Sequence, residues 1–115
     1  MCGINLALAL DGGKLGNVGT SIFSAMHYAN QLRGVDAAGI YWREGEDVLF
    51  YKDAGPASSV LRPKSYLGYI RDSVFAVGHT RAATLGAADD AKAAHPFNPG
   101  GVIGVHNGTI SGYHS

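Results

Sequence analysis

The sequence predicts one small layered domain that mixes strands and helices, and three observations carry that expectation. Apolar residues alternate near the N-terminus, recur at steps of three and four after Asn17, and then return to short alternating runs. The resulting order of strand, helix, hairpin, short helix, strand, loop and strand suits an α/β or α+β layering better than an all-β sandwich. With 115 residues, 46% of them hydrophobic, the chain is long enough for one core and too short for two.

Residues 3–10 place Ile4, Leu6, Leu8 and Leu10 on one face and Asn5, Ala7 and Ala9 on the other. That pattern reads as a strand covered on both sides. Asp11-Gly12-Gly13 closes it as a turn. Val18, Ile22, Met26, Ala29 and Leu32 then form a helical stripe. Asn17 suits the N-cap, Arg33 the last turn, and Gly34 the left-handed position beyond the helix. Residues 37–42 and 48–51 read as the arms of a hairpin joined by Arg43-Glu44-Gly45-Glu46-Asp47. Residues 65–71 suit a short helix, and 74–77 a strand that ends at Gly78. Pro96, Pro99 and flanking glycines make 86–101 a long loop, followed by a last strand over 101–105.

Nine basic and nine acidic residues give a net charge of zero. This removes the electrostatic term on which nucleic-acid binding mostly rests. No apolar run approaches the roughly 18 residues that span a membrane, and no signal peptide is visible. A cytoplasmic domain with neither a nucleic-acid nor a membrane partner is expected. The 17 glycines call for tight turns or close backbone approaches. Cys2 is the only cysteine, so no intrachain disulfide or Cys-rich zinc scaffold forms. The five histidines (His27, His79, His95, His106, His114) show no metal-ligand spacing, and no metal or cofactor is expected.

Three places carry chemistry. Cys2 reads either as a small inert buried thiol or, once Met1 is removed, as an N-terminal nucleophile. In the second case its own α-amine, with an ordinary pKa near 8, would take the thiol proton. Gly78-His79-Thr80-Arg81-Ala82-Ala83-Thr84 follows an apolar strand. Arg81 reads either as a surface arginine or as a planar fork for a carboxylate, with the Thr84 hydroxyl beside it. His106-Asn107-Gly108-Thr109 reads as a hairpin turn. Alternatively it is an oxyanion hole made by the Asn107 amide and the Gly108 N–H, with each donor worth roughly 3–4 kcal/mol.

Taken together, these pieces resemble one family. The chain looks like the glutaminase domain of class II glutamine amidotransferases, which are N-terminal-nucleophile (Ntn) hydrolases. The resemblance rests on Met1-Cys2-Gly3-Ile4, Arg33-Gly34-Val35-Asp36-Ala37-Ala38-Gly39-Ile40, Gly78-His79-Thr80-Arg81-Ala82-Ala83-Thr84, His95-Pro96-Phe97 and His106-Asn107-Gly108-Thr109-Ile110. It implies an α+β fold of the Ntn-hydrolase αββα type. Cys2 would be the nucleophile, Asn107 and Gly108 the oxyanion hole, and Arg81, Thr84 and His106 the glutamine-binding set. Arg33 and Asp36 would support the segment that frames Cys2. The implied reaction releases ammonia through a γ-glutamyl thioester.

The family's glutaminase domain runs well beyond 115 residues. The resemblance therefore implies one incomplete domain over 1–115, with a missing C-terminal or acceptor domain or subunit as partner. Such a portion should leave an apolar face or sheet edge exposed, and the isolated chain is expected to be inactive. Ala82 and Leu85 stand where glucosamine-6-phosphate synthases carry Trp and His, which leaves the ammonia acceptor unassigned. Two other readings stand beside this one: an Ntn amidase for a non-glutamine amide, and a non-catalytic module. The Arg81 reading has a direct consequence. Arg81→Lys in the complete protein should chiefly raise KM for glutamine in steady-state kinetics, because an ammonium cannot reproduce a bidentate carboxylate contact; an unchanged KM would remove Arg81 from the site.

Overall fold

The computed structural model describes residues 2–10, 12–60, 65–82 and 105. The chain runs β1 (Gly3–Leu8), α1 (Gly16–Ala29), a 3-10 turn (Asn30–Leu32), β2 (Ala37–Glu44), β3 (Asp47–Ala54), α2 (Ala57–Val60), α3 (Ser65–Arg71) and β4 (Phe75–Arg81). The four strands form one antiparallel sheet in the order β1-β4-β2-β3. Helices and an antiparallel sheet make this an α+β domain. The loop expected over 86–101 and the strand over 101–105 lie outside the described residues, apart from Val105.

The β2–β3 hairpin turns at Gly45-Glu46, where Gly45 has φ 61°. A residue without Cβ takes that left-handed conformation at no steric cost. The arms reach further than the apolar runs, because Glu44 pairs with Asp47 and Ala37 with Ala54. β4 also outruns its apolar stretch. It does not stop at Gly78 but continues through His79 and Thr80 to Arg81, since β4 is central and both neighbours supply ladder partners there. Gly3 and Ala38 both stand opposite Thr80.

The register separates two faces. Asn5, Gly78, Ile40 and Tyr51 form one transverse row, and Ala7, Ala76, Trp42 and Leu49 the next. On this face Phe23 of α1, Ala57 of α2 and Ile70 of α3 close over Ala38, Ile40, Trp42 and Ala76. Full burial of one such large apolar side chain contributes about 1.5–3 kcal/mol. The opposite face carries the row Leu6, Val77, Tyr41 and Phe50. There Ile4, Leu6 and Leu8 are 43%, 55% and 58% exposed, and Val48 and Phe50 are exposed as well. β1 is therefore not covered on both sides among the described residues: its small and polar residues face the helices, and its large apolar ones face outward. Among the described residues this face is apolar and exposed, and the four-stranded α+β domain is compatible with part of an Ntn-type fold.

Helix α1 lies where the spacing places it, but it presents a different side. Val18 is 73% exposed and Leu32 is 94% exposed, whereas Phe23 and His27 are fully buried. The buried side packs Phe23 into the core over Ile40 and Trp42 and sets His27 against Asn5 of the sheet beneath. Asn17 is not the N-cap. Leu15 holds that position without a side-chain hydrogen bond, and Asn17 Oδ1 lies 3.5 Å from the Arg71 guanidinium. Gly34 is not among the left-handed glycines. A Cβ there would run into the Arg81 carbonyl and the Ala82 nitrogen, so its small size serves a close approach of two backbones. Because the two faces differ so sharply, Ile40→Ala should cost about 2–5 kcal/mol and Leu6→Ala under about 0.5 kcal/mol in urea unfolding of this chain.

Candidate active site

Cys2 stands one position before the Gly3–Thr80 pair, at the end of β1 that faces Arg81, the last residue of β4, and Ala82 just beyond it. Its side chain is buried, with Sγ 4.0 Å from the Ala82 carbonyl oxygen. Arg81 is buried at the end of β4. The segment after the 3-10 turn packs on the same strand end: the Asp36 N–H donates to the Arg81 carbonyl at 3.0 Å, and Gly34 lies against the Arg81–Ala82 peptide. The Asp36 carbonyl in turn accepts from the Gly55 N–H at 2.9 Å. Arg33, exposed, begins this segment, and its N–H donates to the Asn30 carbonyl at 2.8 Å.

The structure thus brings Cys2, Arg81 and the segment from Arg33 to Asp36 to one end of the sheet, although they are up to about 80 residues apart in sequence. Thr84, His106, Asn107 and Gly108 lie outside the described residues, as does His95-Pro96-Phe97. Among the described residues no group of three or more His, Cys, Asp or Glu side chains could hold a metal ion. No described helix is long and apolar enough to cross a membrane.

Directly behind this strand end lies a polar cluster that sequence reasoning missed. Asn5 Oδ1 lies 3.2 Å from His27 Nδ1 and accepts from Asn30 Nδ2, also at 3.2 Å. Because a carboxamide oxygen only accepts, His27 Nδ1 carries the proton in this contact. The Thr80 hydroxyl donates to the Asn30 carbonyl at 2.8 Å. Two glycines make room. A Cβ on Gly78 would meet Asn5 Oδ1 at 2.5 Å, and one on Gly3 would meet Thr80 Oγ1 at 2.7 Å. The available signal was a polar Asn5 inside an apolar strand, with His27 and Asn30 three apart on the helix.

Burial, and secondarily the nearby His79, lowers the His27 pKa from 6.5 to about 4. His27 Nε2 is buried without a hydrogen-bond partner among the described residues, so a second proton there would be stranded. The imidazole is neutral at neutral pH and acts as a fixed donor rather than a charge.

No family model matches the chain. Several curated proteins do match its N-terminal region. An amidophosphoribosyltransferase of Synechococcus elongatus is 40% identical over 86 residues, covering 72% of this chain and 17% of that protein. An isomerizing glutamine–fructose-6-phosphate aminotransferase of Corynebacterium glutamicum is 33% identical over 84 residues, covering 72% of this chain and 13% of that protein. The corresponding enzyme of Xylella fastidiosa is 32% identical over 83 residues. These relatives share one class. The matched part of the chain belongs to the class II glutamine amidotransferases. A class II assignment agrees with the motifs around Cys2, Arg33 and Arg81. The chain spans 13–17% of the length of these relatives.

The buried His27 has a consequence for stability. Below pH 6.5 the unfolded chain takes up a proton at this imidazole that the folded chain refuses until about pH 4, so acid favours unfolding across that window. Stability from this group should be complete above pH 6.5 and fall by about 1.4 kcal/mol per pH unit below it. Urea unfolding at pH 7 and pH 5 should show that loss, and His27→Gln should reduce the pH dependence by about 2 kcal/mol between those values.

Proposed function

We propose that this chain is the N-terminal portion of a glutaminase domain that hydrolyses the side-chain amide of glutamine and supplies ammonia to an acceptor domain or subunit. Residues 1–115 would be one incomplete domain, and a second sheet would pack on the exposed Leu6–Val77–Tyr41–Phe50 face to complete an αββα sandwich. The observation that carries the reading is the placement of Cys2 and Arg81 at the same end of two paired strands, with Cys2 Sγ 4.0 Å from the Ala82 carbonyl. Neighbouring strands lie about 4.8 Å apart. One strand end would hold the carboxylate through the Arg81 guanidinium while Cys2 on the other attacks.

The chemistry follows from the residue types. With Met1 removed, the Cys2 α-amine takes the thiol proton, and the thiolate adds to the amide carbon. The Asn107 side-chain amide and the Gly108 N–H stabilise the resulting oxyanion. Collapse breaks the C–N bond, and the α-ammonium returns its proton to the leaving nitrogen as ammonia departs. Water, deprotonated by the same amine, then hydrolyses the γ-glutamyl thioester to glutamate and restores the thiol. Arg81, Thr84 and His106 hold the substrate, while Arg33 and Asp36 fix the segment that frames Cys2. The family relationship supports this reading, as does the coming together of three of its motifs at one strand end.

Intact-mass spectrometry before and after exposure to an electrophilic glutamine analogue tests it. The expected result is loss of Met1 and a single adduct mapped to Cys2, absent in Cys2→Ala. Glutaminase activity of the complete protein that survives in Cys2→Ala would sink the mechanism.

A further inference from the structure

Asn30 joins every described part of the candidate site. Its carbonyl accepts from the Thr80 hydroxyl and from the Arg33 N–H, both at 2.8 Å. Its side-chain Nδ2 donates to Asn5 Oδ1 at 3.2 Å. Asn5 lies on β1 three residues after Cys2, Thr80 immediately precedes Arg81 on β4, and Arg33 opens the segment that leads to Asp36. One residue at the end of α1 therefore ties together the strand that bears the nucleophile, the strand that bears the arginine and the framing segment.

The fold leaves this junction little freedom. Thr80 is fully buried and has Gly3 opposite it. A Cβ at residue 3 would come within 2.7 Å of Thr80 Oγ1 and 2.8 Å of the Asn30 side chain. Only a glycine beside Cys2 lets the hydroxyl reach the Asn30 carbonyl. The cluster lies on the helix-covered face, whereas alternation along the paired strands puts Cys2 and Arg81 on the opposite face. Neither Asn30 nor Thr80 would touch the substrate.

We propose that Asn30 and Thr80 are positioning residues that hold Cys2 and Arg81 at the separation a glutamine requires. The inference rests on the glutaminase reading. A misplacement of about 1 Å at a reacting group can cost about a hundredfold in rate, so removal of one of several converging hydrogen bonds should be felt without unfolding the domain.

Thr80→Val keeps the shape of the side chain and removes the donor. Thr80→Ser keeps the donor. In the intact protein, each is compared with wild type for adduct formation at Cys2 by an electrophilic glutamine analogue and by iodoacetamide, with thermal melting alongside. Thr80→Val should react with the glutamine analogue roughly tenfold more slowly, react with iodoacetamide at the wild-type rate, and be restored by Thr80→Ser. Equal rates for Thr80→Val and wild type with both reagents would overturn the inference. So would an equal loss with both reagents accompanied by early melting, which marks a purely structural role. A wild type that reacts with iodoacetamide but not with the analogue would instead overturn the glutaminase reading, and this inference with it.

Discussion

The pairing of β1 with β4, in the register that sets Gly3 opposite Thr80, is the constraint on which the rest of the candidate site depends. It brings the second residue of the chain beside residues 81 and 82 and places β4 between two partners. It also decides which side chains share a face. A slip by one residue would turn every side chain of β1 to the other side of the sheet. Asn5 would then leave its partners, and Cys2 would leave the face that carries Arg81.

The glycines that matter most here relieve crowding. Gly3 admits the Thr80 hydroxyl, Gly78 admits Asn5 and His27, and Gly34 lets its own segment lie on the Arg81–Ala82 peptide. All three sit at the same end of the sheet. Four peptide segments converge there more closely than side chains with a Cβ would permit, and the space gained is filled by a buried hydrogen-bonded cluster. Its hydrogen bonds favour one arrangement, because a buried polar group left unpaired costs about 1–3 kcal/mol; Asn5 Nδ2 and His27 Nε2 remain without a hydrogen-bond partner among the described residues.

The two faces of the sheet have opposite characters. One is sealed by α1, α2 and α3 over Ile40, Trp42 and Ala76. The other displays Ile4, Leu6, Leu8, Val48 and Phe50. An apolar surface of that kind is typical of interaction sites, and the proposed second sheet would pack there. The matched relatives are about six to eight times longer than the stretch they share with this chain, which leaves ample polypeptide in those proteins to form such a layer.

Periodicity and turn chemistry determined most of the described elements, but not the short helix α2, Ala57–Val60. The β1 alternation, the 3.6-residue period of α1, the hairpin centred on Gly45 and the short helix Ser65–Arg71 are local properties, set by nearest neighbours along the chain. The family was legible too, because the motifs around Cys2, Arg33 and Arg81 are short and contiguous. The tertiary structure alone decided which side of each element is inside. Val18, Ile22 and Leu32 make the more hydrophobic stripe, yet Phe23 and His27 are buried. The same packing carries β4 past Gly78 to Arg81 and gathers Asn5, His27, Asn30 and Thr80 into one cluster. The reason is that a buried polar group must find its partner, and partners separated by 22, 25 and 50 residues are joined only when strands and helix come together.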